Sequence, residues 1–208
     1  AETDGIARDP DNPPEYSTTD RNFRLAAWSL PPNAGTGYGG LANNPDYATV
    51  ENWQTMADAG FNYALPTSDY TDEHIFNTLE KAEATGVKVL VRDYNNFGIQ
   101  QTVAQGGSYA EARARFEEKS GQIRARYDKF AEYESFAGII AYDEPNSTMF
   151  EAIAAGQDWF LKYYPEYEYY VNLLPNYATP QQLFGTDSNK GYTYADHVKM
   201  FVDEVNPQ

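Results

Sequence analysis

Short apolar runs alternate along the chain with longer stretches whose apolar residues recur at helical spacing. Phe23-Arg24-Leu25-Ala26-Ala27-Trp28 reads as strand one, and a loop rich in Gly, Pro and Asn follows to about Asp46. Val50, Trp53, Met56 and Ala57 then fall on one helical face, with Gly60 as a C-terminal stop. Phe61 to Leu65 is strand two, ended by Pro66; Ile75, Leu79 and Ala82 mark the next helix, closed by Gly86. Val87 to Val91 is strand three, a continuous β-branched and Leu run of the kind found in parallel strands buried on both faces. A long helix is expected from about Tyr109 to Tyr133, with Ile123, Tyr127, Phe130 and Ala131 turned inward. Phe136 to Tyr142 is strand four, and Phe150, Ile153, Ala154, Phe160 and Leu161 form the helix after it. Tyr167 to Leu174 is strand five. Val198, Phe201, Val202 and Val205 give a final helix with i, i+3, i+4, i+7 spacing.

Five strands, each followed by a helix, imply an α/β fold with a parallel sheet and right-handed crossovers. The strand starts are spaced by about 36 residues, close to the unit length of a TIM (β/α)₈ barrel of roughly 250 residues. Five units cannot close eight strands, so two architectures are open. One is a complete five-stranded doubly wound sheet binding a small ligand, with strand order 2-1-3-4-5. The other is the first five β/α units of a barrel, in sequential order 1-2-3-4-5. Residues 1–22 read as an irregular, acidic, Pro-containing lead-in, and residues 23–208 as the partial barrel domain. Five units alone would leave two open strand edges and an exposed apolar interior. A complementary polypeptide completing the barrel is therefore an expected partner.

Charge narrows the partners. The 208 residues carry 15 Lys plus Arg against 31 Asp plus Glu, a net charge of -16. Such a surface repels phosphate backbones and anionic lipid, so neither nucleic acid nor membrane is expected as a partner. No run of about 18 apolar residues exists to span a bilayer. Cys is absent, which removes thiol nucleophiles and thiolate metal sites, and the only His, His74 and His197, fall in separate predicted helices away from the strand ends. No metal site and no cofactor are expected. Asp4, Asp9 and Asp11 lack the spacing of a calcium loop. Gly35, Gly37 and Gly40 match G-x-G-x-x-G, but they lie in the loop between strand and helix rather than at a tight strand-to-helix turn, so dinucleotide binding is not supported. An acidic, Cys-free, Tyr-rich chain with such a lead suits a mature secreted bacterial protein.

In either architecture the chemistry gathers at the carboxyl ends of the strands. Those ends read Ala27-Trp28-Ser29, Pro66-Thr67-Ser68-Asp69-Tyr70, Arg92-Asp93-Tyr94-Asn95-Asn96, Tyr142-Asp143-Glu144-Pro145-Asn146, and Asn172 with Pro175-Asn176-Tyr177 beyond. Aromatic faces stack on sugar rings, while Asp and Asn make paired bonds to hydroxyls, so the set fits a carbohydrate cleft. The competing reading is that Tyr-rich loops pack one another. In Gly138-Ile139-Ile140-Ala141-Tyr142-Asp143-Glu144-Pro145 an apolar strand runs into carboxylates and is stopped by Pro145. Glu144, shielded by Tyr142 and Pro145 and beside Asp143, is expected to have a raised pKa, as a general acid needs. The alternative is a Glu that only caps the next helix, along with Asn146, Ser147 or Thr148.

This strand-four ending resembles that of the retaining superfamily of (β/α)₈ glycoside hydrolases, whose acid/base Glu closes strand four, commonly as Asn-Glu-Pro. Here the motif is Asp143-Glu144-Pro145, and Asp143 replaces the Asn that binds the sugar 2-hydroxyl. Tyr170-Val171-Asn172-Leu173-Leu174-Pro175-Asn176-Tyr177 resembles the superfamily's strand five, and Phe201-Val202-Asp203-Glu204-Val205-Asn206-Pro207 the helix before its strand six. The resemblance implies a glycosidase acting on a carbohydrate substrate. Glu144 would serve as general acid and then base, and Asp143, Tyr142 and Asn172 would position the sugar. Trp28, Asp69, Arg92 and Asp93 are further subsite candidates. The superfamily's nucleophile ends strand seven, so it would come from a missing or separate carboxy-terminal portion; Asp93 and Asp69 are the obvious substitutes within the chain, though neither matches the superfamily pattern. The alternative function is a non-catalytic carbohydrate-binding domain on the same fold.

Overall fold

The computed structural model describes residues 24–29, 31–34, 46–65, 71–185 and 191–207. The residues 1–22, the glycines Gly35, Gly37 and Gly40, and the Pro66–Tyr70 loop with Asp69 lie outside the described residues. Each strand is followed by one or two helices, in the order β1 (Ala26–Ala27), α1 (Val50–Asp58), β2 (Tyr63–Ala64), α2 (Asp72–Thr85), β3 (Lys88–Val91), α3 (Ile99–Val103), α4 (Tyr109–Phe130), β4 (Phe136–Asp143), α5 (Phe150–Tyr163), β5 (Glu168–Asn172), α6 (Pro180–Phe184) and α7 (Tyr194–Val205). All strand pairs are parallel and the order across the sheet is β1-β2-β3-β4-β5. Sequential order excludes the doubly wound alternative, which would have placed β1 inside the sheet.

The sheet curls into a half-barrel. In a flat sheet β1 and β5 would stand about 19 Å apart, four strand spacings. Yet Arg24, just before β1, pairs with Glu168 of β5 at 2.7 Å, and the Tyr63 hydroxyl of β2 donates to the same carboxylate at 3.2 Å. Only curvature brings these side chains together across the inner face. β1 and β5 do not themselves pair, so each keeps one edge without a strand partner among the described residues.

Alternation sorts the side chains between the two faces. Val89 and Val91 of β3, Ile139 and Ala141 of β4, and Tyr169 and Val171 of β5 pack outward against the helices in one large core with Trp53, Leu79, Phe116, Tyr127, Phe130, Phe150 and Trp159. The inner face is layered. Tyr63 and Glu168 form a polar floor; Leu65, Leu90 and Ile140, with Ala137 and Tyr170, form an apolar layer above it. Leu65, Leu90 and Ile140 are only 5%, 4% and 1% exposed. The exposed apolar interior expected of five isolated units is therefore corrected: the curl presses the inner side chains of β2, β3 and β4 onto one another.

β4 is the irregular strand. Its register shifts against β3 between Phe136 and Gly138, and against β5 between Ile140 and Tyr142. Each shift inserts one extra residue, a β-bulge that bends the strand. Gly138 has φ +145, and a Cβ there would stand 2.1 Å from the Glu168 carbonyl oxygen. β5 thus lies against β4 where a side chain would be.

The expected helices are present with small differences. α4 ends at Phe130 rather than near Tyr133, and β1 and β2 shrink to two residues each. α3 and α6 are additions, α6 opened by a Thr179–Gln182 capping box with Pro180 at its start. His197 is fully buried among Phe150, Phe184 and Tyr194.

Two outcomes follow from this architecture. Gly138→Ala should lower stability by more than about 1 kcal/mol, because the methyl meets the β5 backbone at a left-handed φ; a urea midpoint equal to the parent's would contradict so close an approach. Burial lowers the pKa of His197 below the ordinary 6.5. The unfolded chain then binds this proton more readily than the folded one. Stability should accordingly fall as pH drops from about 7 toward 5, and His197→Leu should flatten that part of a thermal-melt profile.

Candidate functional site

The carboxyl ends of β1, β3, β4 and β5 converge at one mouth. The second β4 bulge decides which side chains point there. In an unbroken strand Tyr142 would follow Ile140 onto the inner face. With Ala141 as the extra residue, Asp143 pairs with Asn172 instead, and Tyr142 packs against the main core. Tyr142, expected as a sugar-positioning residue, is thus turned from the mouth by one residue of register. Its phenol pKa is raised, first by burial and then by Tyr94.

Asp143 is held from both sides. Its Oδ2 accepts from the Arg92 guanidinium at 2.5 Å, and its Oδ1 from the Asn172 side-chain amide at 2.9 Å. Arg92 is itself gripped: its Nε donates to the Tyr94 hydroxyl at 3.1 Å, and its guanidinium lies 5.9 Å from the Trp28 ring centroid and 5.4 Å from that of Tyr94. Its side chain is only 11% exposed. Such a planar cation between aromatic rings and a carboxylate is a rigid support rather than a free hand.

Glu144 follows with φ +53, a left-handed conformation unusual for a residue with a side chain. Its N–H donates to the Asn172 carbonyl at 2.8 Å, so the backbone is held in that turn. Strain of this kind persists only where the surroundings impose it, and it concentrates at functional sites. Glu144 lines a cleft of about 570 Å³ with Trp28, Asp143 and Asn172. Trp28 is 38% exposed and presents apolar area there. The capping role is filled by another residue: Asn146 accepts from the Thr148 N–H at the turn Ser147–Met149.

Two expectations are corrected. Glu144 is exposed, so Tyr142 and Pro145 do not shield it. Asp93, a candidate subsite residue and substitute nucleophile, is 2% exposed and faces away from the mouth into the helix layer. It accepts from both terminal nitrogens of Arg126 (2.7 and 3.1 Å) and from the Tyr127 hydroxyl (3.0 Å), and receives the Asn95 N–H at 2.9 Å. Arg126 also pairs with Asp72. Burial opposes the Arg126 charge, but the two carboxylates outweigh it and raise its pKa. This network fixes the loop after β3, and with it Arg92. Gly98 is part of the same fit, since a Cβ there would lie 2.6 Å from Asp93. Sequence reading missed Arg126 because a lone Arg on a helix gives no sign of its partner.

Among the described residues no group of His, Cys, Asp and Glu could hold a metal ion, and no helix is long and apolar enough to cross a membrane. Compared with protein-family models, curated proteins and solved structures, the chain matches none.

Arg126→Met would strand Asp93 as a buried, uncompensated charge. The expected loss is about 3–5 kcal/mol, with partial recovery in Arg126→Met/Asp93→Asn. Chemical denaturation checks both; equal stability of Arg126→Met and parent would rule out a structural ion pair.

Proposed function

We propose that this protein binds a glycan in the cleft above Glu144 and hydrolyses it, on a fold related to the (β/α)₈ glycoside hydrolases. The observation that carries the reading is Glu144 itself, a non-glycine residue held at φ +53 at the end of β4, in one cleft with Trp28, Asp143 and Asn172. The parts suit a sugar. Trp28 offers an aromatic face for a pyranose ring. Asp143, oriented by Arg92 and Asn172, retains lone pairs to accept from a hydroxyl, and the Asn172 amide can bond a second one.

In this mechanism Glu144 protonates the glycosidic oxygen as the bond to the anomeric carbon breaks. A second carboxylate attacks that carbon from the opposite face. Glu144 then removes a proton from the water that displaces this carboxylate, and is ready for another cycle. The second carboxylate would come from a complementary stretch of polypeptide that completes the barrel along the open edge of β5. That stretch, or the substrate, would also cover Glu144 and supply the desolvation a general acid requires. With this role goes the proposal that the protein is secreted from a bacterial cell.

A second reading, glycan binding without turnover, draws on two observations. Glu144 is exposed, and Asp143, the other carboxylate lining the cleft, is engaged by Arg92 and Asn172.

Glu144→Gln separates the two. For a hydrolase assayed together with the polypeptide that completes the barrel, turnover in a broad glycoside screen should fall by about 10²-fold or more while oligosaccharide affinity is kept. A completed parent that binds oligosaccharide but cleaves none leaves the binding reading; one that neither binds nor cleaves any glycan defeats both.

A further inference from the structure

The charge in the cleft points to the class of glycan. Among the described residues three charged side chains stand at the mouth: Arg92, Asp143 and Glu144. The guanidinium of Arg92 is already committed, bonded to Asp143 at 2.5 Å, donating to Tyr94 and flanked by the Trp28 and Tyr94 rings. Only 11% of its side chain meets solvent. Arg92 and Asp143 therefore cancel. Glu144 is left as an exposed carboxylate, with no hydrogen bond or ion pair tying it down among the described residues. The nearest parallel is the opposite design, in which a free Arg fork takes a carboxylate with two bonds. Here an internal carboxylate already occupies that fork.

We propose that the cleft is selective for uncharged glycans and rejects those bearing uronic-acid or sulfate groups. The proposal rests on the glycan reading above and adds the substrate class. Three features argue for it independently of catalysis. A sugar carboxylate entering beside Asn172 meets Glu144 rather than a cation, and at a few ångströms like charges repel appreciably even in water. The net charge of -16 extends that repulsion beyond the cleft and slows the approach of any polyanion. The remaining groups, the Trp28 face and the Asn172 amide, recognise rings and hydroxyls, which neutral sugars supply.

The internal ion pair also indicates how the selectivity could be reversed. Asp143→Asn removes the charge that holds Arg92 while keeping a similar shape and an acceptor toward Asn172. Glu144→Gln removes the repelling carboxylate. Together they remove both negative charges that the described residues place at the mouth and release the Arg92 guanidinium from its carboxylate.

Calorimetric titration of the intact chain with neutral oligomers (gluco-, xylo-, manno- and galacto-oligosaccharides) and with galacturonate and guluronate oligomers tests this. At least one neutral series should bind, and the acidic oligomers about tenfold more weakly or not at all. The Asp143→Asn/Glu144→Gln variant should gain about tenfold or more in affinity for an acidic oligomer, an effect that partial unfolding cannot mimic. Acidic oligomers binding the parent as tightly as neutral ones would overturn the selectivity and leave the glycan reading standing. Absence of any gain in the variant would overturn it too, since Glu144 and Asp143 would not be what excludes the acid. Binding of neither class to the parent would remove both the selectivity and the glycan reading.

Discussion

The backbone of β5 can lie against β4 only because residue 138 has no side chain. That approach is closer than any Cβ permits. Curvature brings Arg24 and Tyr63 to Glu168 across the floor of the half-barrel, and it buries Leu65, Leu90 and Ile140 against one another. Three residues later in β4 the extra residue at Ala141 changes which side chain faces inward. Asp143 meets Arg92 and Asn172, Tyr142 returns to the helix layer, and the next residue is forced left-handed. The geometry of the mouth is thus a consequence of irregularity in β4 rather than of the loops around it.

Two arginines divide the electrostatic work. Arg126 neutralises Asp93 in the helix layer, where neither partner would be tolerable alone. Arg92, one residue before Asp93, neutralises Asp143 at the mouth. Since Asp93 is anchored to α4, the β3 loop cannot drift, and Arg92 holds the bulged end of β4 in place. The chain of supports runs from a helix through a buried ion pair to a carboxylate that can meet a ligand.

Much of the fold was legible because buried parallel strands are written as unbroken apolar runs. Val87–Val91 and the β4 sequence announce themselves, and the stop residue Gly86 bounds its helix. α6 carried a readable signal too, Thr179-Pro180-Gln181-Gln182 followed by Gly185, but five residues leave too short a hydrophobic pattern to notice. The site was legible only in part. Trp28, Arg92, Asp143, Glu144 and Asn172, all taken from strand ends, lie together at one mouth, because all strand ends of a parallel sheet share a face. A bulge has no signature in a run of apolar residues, so the exchange of Tyr142 for Asp143 was invisible. Likewise Asp93 and Arg92 are adjacent in sequence, yet one faces the helices and the other the mouth.

Everything functional turns on whether sugars enter at the carboxyl ends of these strands. Nuclear magnetic resonance with ¹⁵N-labelled protein tests that most directly, by following the Trp28 indole and Asn172 side-chain amide signals during titration with neutral oligosaccharides. The account predicts saturable shifts of both, together with the backbone amide of Glu144, while Trp53 and Trp159 in the helix layer stay still. Shifts confined to other surfaces, with Trp28 and Asn172 unmoved, would contradict it.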